Sequence, residues 1–181
     1  YDRSGQGNNG TLTNGPVRTI GKIGQALQFD GGDDQVTLAN ESNFDFERTN
    51  SFSVSSWVNP VNTLAERPIV SKLNCAASCV GWEVAAPDTN DGKIAFHLVN
   101  VYPTNWLSIR TTTSIQNNTW TYVTVTYDGT NTPGGVKIYF NGISQPLTTF
   151  ADNLTASILN NLSVDIGRRP STSGRLWFGT I

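Results

Sequence analysis

The sequence predicts an all-β antiparallel sandwich, and three observations carry that expectation. Short runs of alternating apolar and polar residues recur about every ten residues, the spacing of strands joined by tight turns. Gly, Asn and Asp cluster between the runs, where chain reversal calls for residues that tolerate positive φ. No stretch keeps the spacing of an amphipathic helix: residues 65–67 are stopped by Pro68, and residues 151–159 offer no more than a turn.

From the start of the chain, residues 2–14 are rich in Gly, Asn and Ser without a period, and read as a loop packed on the sandwich. Residues 25–29 and 35–38 read as strands flanking the turn Asp30-Gly31-Gly32-Asp33-Asp34. Strands at 52–58 and 68–72 follow, then a meander at 81–86, 93–99 and 106–111 with Asn90-Asp91-Gly92 as its inner turn. The clearest unit is residues 120–142, WTYVTVTYDGTNTPGGVKIYFNG. Val123, Val125 and Tyr127 alternate with polar partners, as do Val136, Ile138 and Phe140, so this stretch reads as a hairpin closing on the turn Asn141-Gly142. Residues 162–166 and 176–181 read as two last strands around the basic turn Arg168-Arg169-Pro170.

With 181 residues the chain fits one domain, long enough to bury roughly 70% of the surface its unfolded form would expose. Only 14% of residues are charged and the net charge is -2, which argues against a nucleic-acid partner. No apolar run approaches the roughly 20 residues of a membrane-spanning helix. The abundance of Asn, Thr, Ser and Gly and the lack of Met suit an exported β protein. Cys75 and Cys79 are the only cysteines, and three residues separate them. A local disulfide is the expectation, with free thiols as the alternative; the one His and two Cys make a poor zinc set.

The wording of residues 120–142, a Trp opening a strand, a Tyr-Asp-Gly turn and a strand closing on Asn-Gly, resembles the laminin-G-like jelly rolls of the concanavalin-A-like lectin/glucanase superfamily. Further pieces follow in the expected order: Ser4-Gly5-Gln6-Gly7-Asn8, Ala26-Leu27-Gln28-Phe29-Asp30-Gly31, Ser51-Phe52-Ser53-Val54-Ser55-Ser56-Trp57-Val58, Ile69-Val70-Ser71-Lys72 and Asp165-Ile166-Gly167-Arg168. The resemblance implies a two-sheet antiparallel jelly-roll sandwich and, since this superfold hosts lectins, glycanases and adhesion modules, no single function. It also implies that the chain is a piece of a larger exported, bacterial protein, starting within one loop and stopping before a further strand. An incomplete sheet edge would then pair edge to edge with a second copy.

Three chemistries are open on this superfold. Hydrolysis needs two carboxylates across a glycosidic bond, and the family's alternating Glu-x-Asp-x-Glu strand is missing: Asp45-Phe46-Glu47 is the nearest pair. A Ser-His-Asp triad lacks its Gly-x-Ser-x-Gly elbow. A structural calcium is implied by the family, with Asp2, Asn8, Asp30, Asp33 and Asp34 as oxygen donors; the plainer reading makes these residues turn formers.

Glycan binding needs exposed rings among hydrogen-bonding groups. The meander offers Trp82, Glu83, His97, Asn100, Tyr102, Asn105 and Trp106, with Arg168 and Arg169 nearby. Trp106 and Tyr102 are expected to be exposed, His97 to point away from Phe96 and Leu98, and Trp57, Trp120 and Trp177 to lie in the core. The expected function is a non-catalytic carbohydrate-binding or adhesion module with a glycan or cell-surface polysaccharide as partner. A structural or protein-interaction spacer is the alternative, and a glycanase comes third.

Overall fold

The computed structural model describes residues 1–62, 66–86, 91–171 and 175–181. Its strands are β1 (Gly10–Thr13), β2 (Val17–Ile20), β3 (Gln25–Asp30), β4 (Gln35–Leu38), β5 (Phe52–Pro60), β6 (Arg67–Ser71), β7 (Gly81–Ala86) and β8 (Ala95–Val101). They continue with β9 (Asn105–Thr111), β10 (Thr121–Tyr127), β11 (Val136–Phe140), β12 (Ile143–Ser144), β13 (Leu147–Asp152), β14 (Asp165–Ile166) and β15 (Phe178–Thr180). Among the described residues the only helical turns are two 3-10 segments, Glu41–Phe44 and Pro133–Gly135.

Two antiparallel sheets face each other. The larger has the order β1-β4-β14-β6-β7-β8-β9-β13 and the smaller β12-β11-β10-β5-β15-β3-β2. The alternation seen in the sequence decides what lies between them. Val84, Phe96, Leu98, Leu107 and Ile109 from the larger sheet meet Phe29, Val58, Val123, Val125, Tyr127 and Ile138 from the smaller in one apolar core. Burial of this kind is worth about 25 cal/mol for each Å² of apolar surface removed from water. The hairpin holds the register its pattern suggests, with Val125 opposite Ile138 on one side and Val54 on the other.

Several expectations need correction. The stretch read as a loop contains β1, paired with β4, because four Thr- and Leu-bearing residues suffice for a short edge ladder. Strand β13 was missed because Leu147-Thr148-Thr149-Phe150-Ala151-Asp152 is mostly exposed at the sheet edge and carries little apolar periodicity. The strand expected over 162–166 shrinks to β14. Trp57 is half-buried on the outer face of the smaller sheet, 5.2 Å from the Tyr122 ring, and Trp120 is also only partly buried; Trp177 alone of the three is fully enclosed. Strand β15, the last, is not at an edge: it lies between β5 and β3. The exposed edges are β1, β13, β12 and β2 instead. Of the turn Asn90-Asp91-Gly92, Asn90 lies outside the described residues, as does Ala65.

Candidate functional site

The larger sheet's outer face is unusual in being as inaccessible as its core face: every residue of β7 is buried. Residues paired directly across antiparallel strands share a face. The register therefore sets Thr37, Asp165, Ser71, Glu83, His97 and Ser108 side by side across six strands. Burying such groups is costly unless they find partners, so what covers them matters.

The cover is Arg169, delivered by the turn after β14. Its Nε donates to Glu83 Oε2 at 2.9 Å and its Nη2 to Glu83 Oε1 at 2.5 Å, a two-point clamp on a carboxylate with no solvent exposure. The same Nη2 reaches Glu66 Oε1 at 2.6 Å, and Arg175 closes on the other Glu66 oxygen at 2.6 Å. Burial opposes the Glu83 charge, but the charge and hydrogen bonds of Arg169, helped by His97 and Ser71, outweigh it and hold its pKa below the ordinary value. Glu66 moves the other way: burial, then the neighbouring Glu83 charge, push it up against the pull of Arg169 and Arg175.

Beside this network a second apolar cluster forms, separate from the core. Val99 and Trp106 project from β8 and β9, and Leu73, Cys75 and Cys79 fold onto them from the connection between β6 and β7. Cys75 and Cys79 are bonded to each other. The loop is closed at its base by reciprocal Asn74 and Val80 backbone bonds of 2.8 Å. Gly81 permits this close return: its φ is +132°, and a Cβ there would sit 1.9 Å from the Lys72 carbonyl oxygen.

Between the disulfide loop, the arginine network and the end of the β8–β9 hairpin lies a pocket of about 370 Å³. Glu66, Arg169 and Arg175 line one side, Leu73, Cys75 and Cys79 another, and His97, Val99, Tyr102, Trp106 and Arg110 the remainder. Trp106 is 7% exposed, with Tyr102 edge-on at 5.0 Å and Phe150 edge-on at 5.9 Å. Those two rings are 54% and 59% exposed. Phe150 sits at an irregularity in the β13 ladder, between Thr149 and Ala151, where a bulge re-aims one side chain.

A family model of the concanavalin A-like lectin/glucanases superfamily, of the laminin-G type, matches residues 30–181. The chain belongs to this superfamily. None of the curated proteins matches it by sequence. Among solved structures it is similar to the crystal structure of the binding domain of Paraclostridial Mosquitocidal Protein 1, with a TM-score of 0.73 and 17% identity. The match covers 99% of this chain and 44% of that one, so the chain spans less than half of its neighbour's length.

Within this lectin/glucanase-superfamily domain the expected binding residues separate into those at the pocket and those elsewhere. His97, Tyr102 and Trp106 line it, and His97 does turn away from Phe96 and Leu98. Trp106 is a buried floor rather than an exposed platform. Trp82 is corrected: it is a core residue, one position off the outer face, and its Nε1 donates to the Phe44 carbonyl at 3.1 Å. Asn100 donates to the Ser157 carbonyl at 2.6 Å, and Asn105 exchanges two bonds with Thr155, so both fasten the segment after β13. Arg168 turns to Gln35, and its neighbour Arg169 takes the pocket. Arg110, Arg175, Glu66 and Phe150 were not anticipated. Of the Asp45 and Glu47 carboxylates, the first pairs with buried Lys72 at 2.8 Å and the second accepts from Ser157 and Ile158.

The calcium candidates divide as well. Asp30, Asp33 and Asp34 gather with carboxylate oxygens within 4.8 Å of one another. Asp34 is 4% exposed, and burial, then the Asp30 and Asp33 charges, push its pKa up despite a hydrogen bond from the Asp30 amide. Asp2 lies outside this group; its carboxylate accepts from Ser4 and from the Asn8 amide, while Asn8 Oδ1 accepts from Asn43.

Proposed function

We propose that this domain is a non-catalytic carbohydrate-binding module of an exported, bacterial multidomain protein. The carrying observation is the pocket on the outer face, where Trp106, flanked by the accessible rings of Tyr102 and Phe150, lies among Arg110, Arg169, Arg175 and His97. Sugars lay their C–H faces on rings while charged and polar groups bond their hydroxyls, and a volume of roughly 300–1,000 Å³ is usual for such ligands. Superfamily membership and the similar fold of the binding domain of Paraclostridial Mosquitocidal Protein 1 both support a binding role. The Cys75–Cys79 bond supports an oxidising, extracytoplasmic setting.

Glu83 and Glu66 stand close enough to raise the thought of a hydrolytic pair. Both Glu83 oxygens are spent on Arg169, however, and its depressed pKa and zero exposure deny it the role of acid or accessible nucleophile. The pair therefore reads as architecture beneath a binding surface. Calcium fits the Asp30, Asp33 and Asp34 oxygens, three carboxyl groups with no cation paired to them among the described residues. There the ion would tie the turn between β3 and β4, distant in sequence from the pocket.

A glycan array probed with the purified domain, with calcium and with chelator, tests the reading. Tyr102→Ala should lower binding at least about tenfold without a change in melting temperature, since the ring is largely solvent-exposed. Silence across the array from a folded domain would favour a structural or protein-interaction spacer. Release of reducing ends would revive the glycanase.

A further inference from the structure

We propose that the sugar bound here carries a negative charge, a carboxylate or a sulfate ester, and that Arg110 is the group that receives it. This rests on the glycan-binding reading of the same pocket. Three observations converge on Arg110. The other pocket-lining guanidinium groups are already matched: Arg169 with Glu83 and Glu66, Arg175 with Glu66. Arg110 has no carboxylate partner among the described residues, and its Nε is buried without a hydrogen-bond acceptor. Three guanidinium groups against two carboxylates leave one positive charge in excess, in a protein whose net charge is -2.

The second observation is presentation. The Arg110 guanidinium lies 4.0 Å over the Phe150 ring, so its plane is held by the side chain that the β13 bulge turns outward. A guanidinium fixed in this way keeps its planar fork available for an anion's paired oxygens and loses little freedom on binding. Position is the third. Arg110 lines the main pocket and also a neighbouring depression of about 260 Å³ bounded by Thr111, Thr112, Thr148 and Phe150. In that depression the other cation, Lys93, is matched to Asp91 at 2.6 Å. A chain of sugars that filled both depressions would pass Arg110, the residue common to their linings.

Titration calorimetry with matched pairs of probes tests this: a uronic-acid oligosaccharide against its methyl ester, and a sulfated oligosaccharide against its desulfated form. The charged member of at least one pair should bind about 10–100-fold more tightly, the span expected of hydrogen bonds to a charged group, and raising the salt should shrink that gap. Which pair shows the preference tells carboxylate from sulfate. Arg110→Gln should lower affinity for the charged form by the same factor, Arg110→Lys should restore only part of it, and Arg18→Gln on the smaller sheet should leave it unchanged. Equal binding of charged and neutral members overturns the anion inference and leaves the glycan reading standing. Binding of an acidic peptide but of no sugar, or of no probe at all by the folded domain, overturns both.

Discussion

On one face of the larger sheet Phe96, Leu98, Leu107 and Ile109 meet the smaller sheet across the apolar core; on the other, Glu83, His97 and Ser108 on strands β7, β8 and β9 are just as inaccessible. The first face gains stability from every buried methylene. The second recovers through Arg169 what burial of a carboxylate costs, and a buried ion pair of this sort is often no more stable than an apolar pair of equal volume. Stability alone therefore explains the inner face and not the outer one. On the proposed function, the outer face is a charged floor that keeps Trp106 and the rim arginines in place for a ligand.

Substitutions can separate the two faces. Phe96→Ala, in the core against Phe52 and Tyr127, should cost about 4 kcal/mol in urea denaturation. Arg169→Ala should cost about 3 kcal/mol because it takes from the buried Glu83 its two-point partner and leaves only His97 and Ser71 beside it. The double change Glu83→Leu with Arg169→Met should recover most of that stability but, on the proposed function, not the binding of glycan that Arg169→Ala removes, an outcome no core substitution would give. If the double variant is as unstable as Arg169→Ala, the ion pair is structural and the outer face is stabilised as the inner one is.

Removing the Cys75–Cys79 bond by paired Ser substitution should cost about 2 kcal/mol by chain entropy, low for a disulfide because the loop is so short. Its larger consequence should be weaker ligand binding, since the loop forms one wall of the pocket. A pH series reads smaller effects. Asp34, Glu66 and Asp165 hold protons in the folded state at pH values where the unfolded chain has released them, so their contribution falls as pH rises from about 4 through their raised values. Glu83 acts in the opposite sense, adding stability above the ordinary carboxylate range that is lost on acidification. Asp34→Asn should make the decline toward neutral pH shallower, and added calcium should do the same for the unaltered protein. Least of all, Tyr102→Ala should shift stability by no more than about 0.5 kcal/mol.

Much of the inner face was legible, because Phe96, Leu98, Leu107 and Ile109 obey a period of two and the hairpin of β10 and β11 announces its own turn. The outer face was legible only in part. Trp82 and Glu83 are both site candidates by residue type, yet neighbours on one strand point to opposite faces, a constraint the sequence already contains. Arg168 and Arg169 posed a harder problem: the turn sends one to Gln35 and the other over Glu83, and nothing local distinguishes them. Arg110 and Phe150 were invisible because the strand that pairs beside β9 has a threonine-rich edge sequence, and its bulge depends on that pairing. Asp30, Asp33 and Asp34 could be named from sequence, but their separation from Asp2 and Asn8 needed the fold.

Strand β15 carries a kinetic consequence. Among the described residues it is the one strand that links the β2–β3 ribbon to the other strands of the smaller sheet, joining Phe29 to Pro60 through Gly179. During synthesis, β3 and β5 are complete long before the segment that must slide between them leaves the ribosome. β3 and β5 can join through β15 only when residues 178–180 are in place, and contacts of such long sequence separation are expected to slow folding, which stopped-flow refolding would read directly.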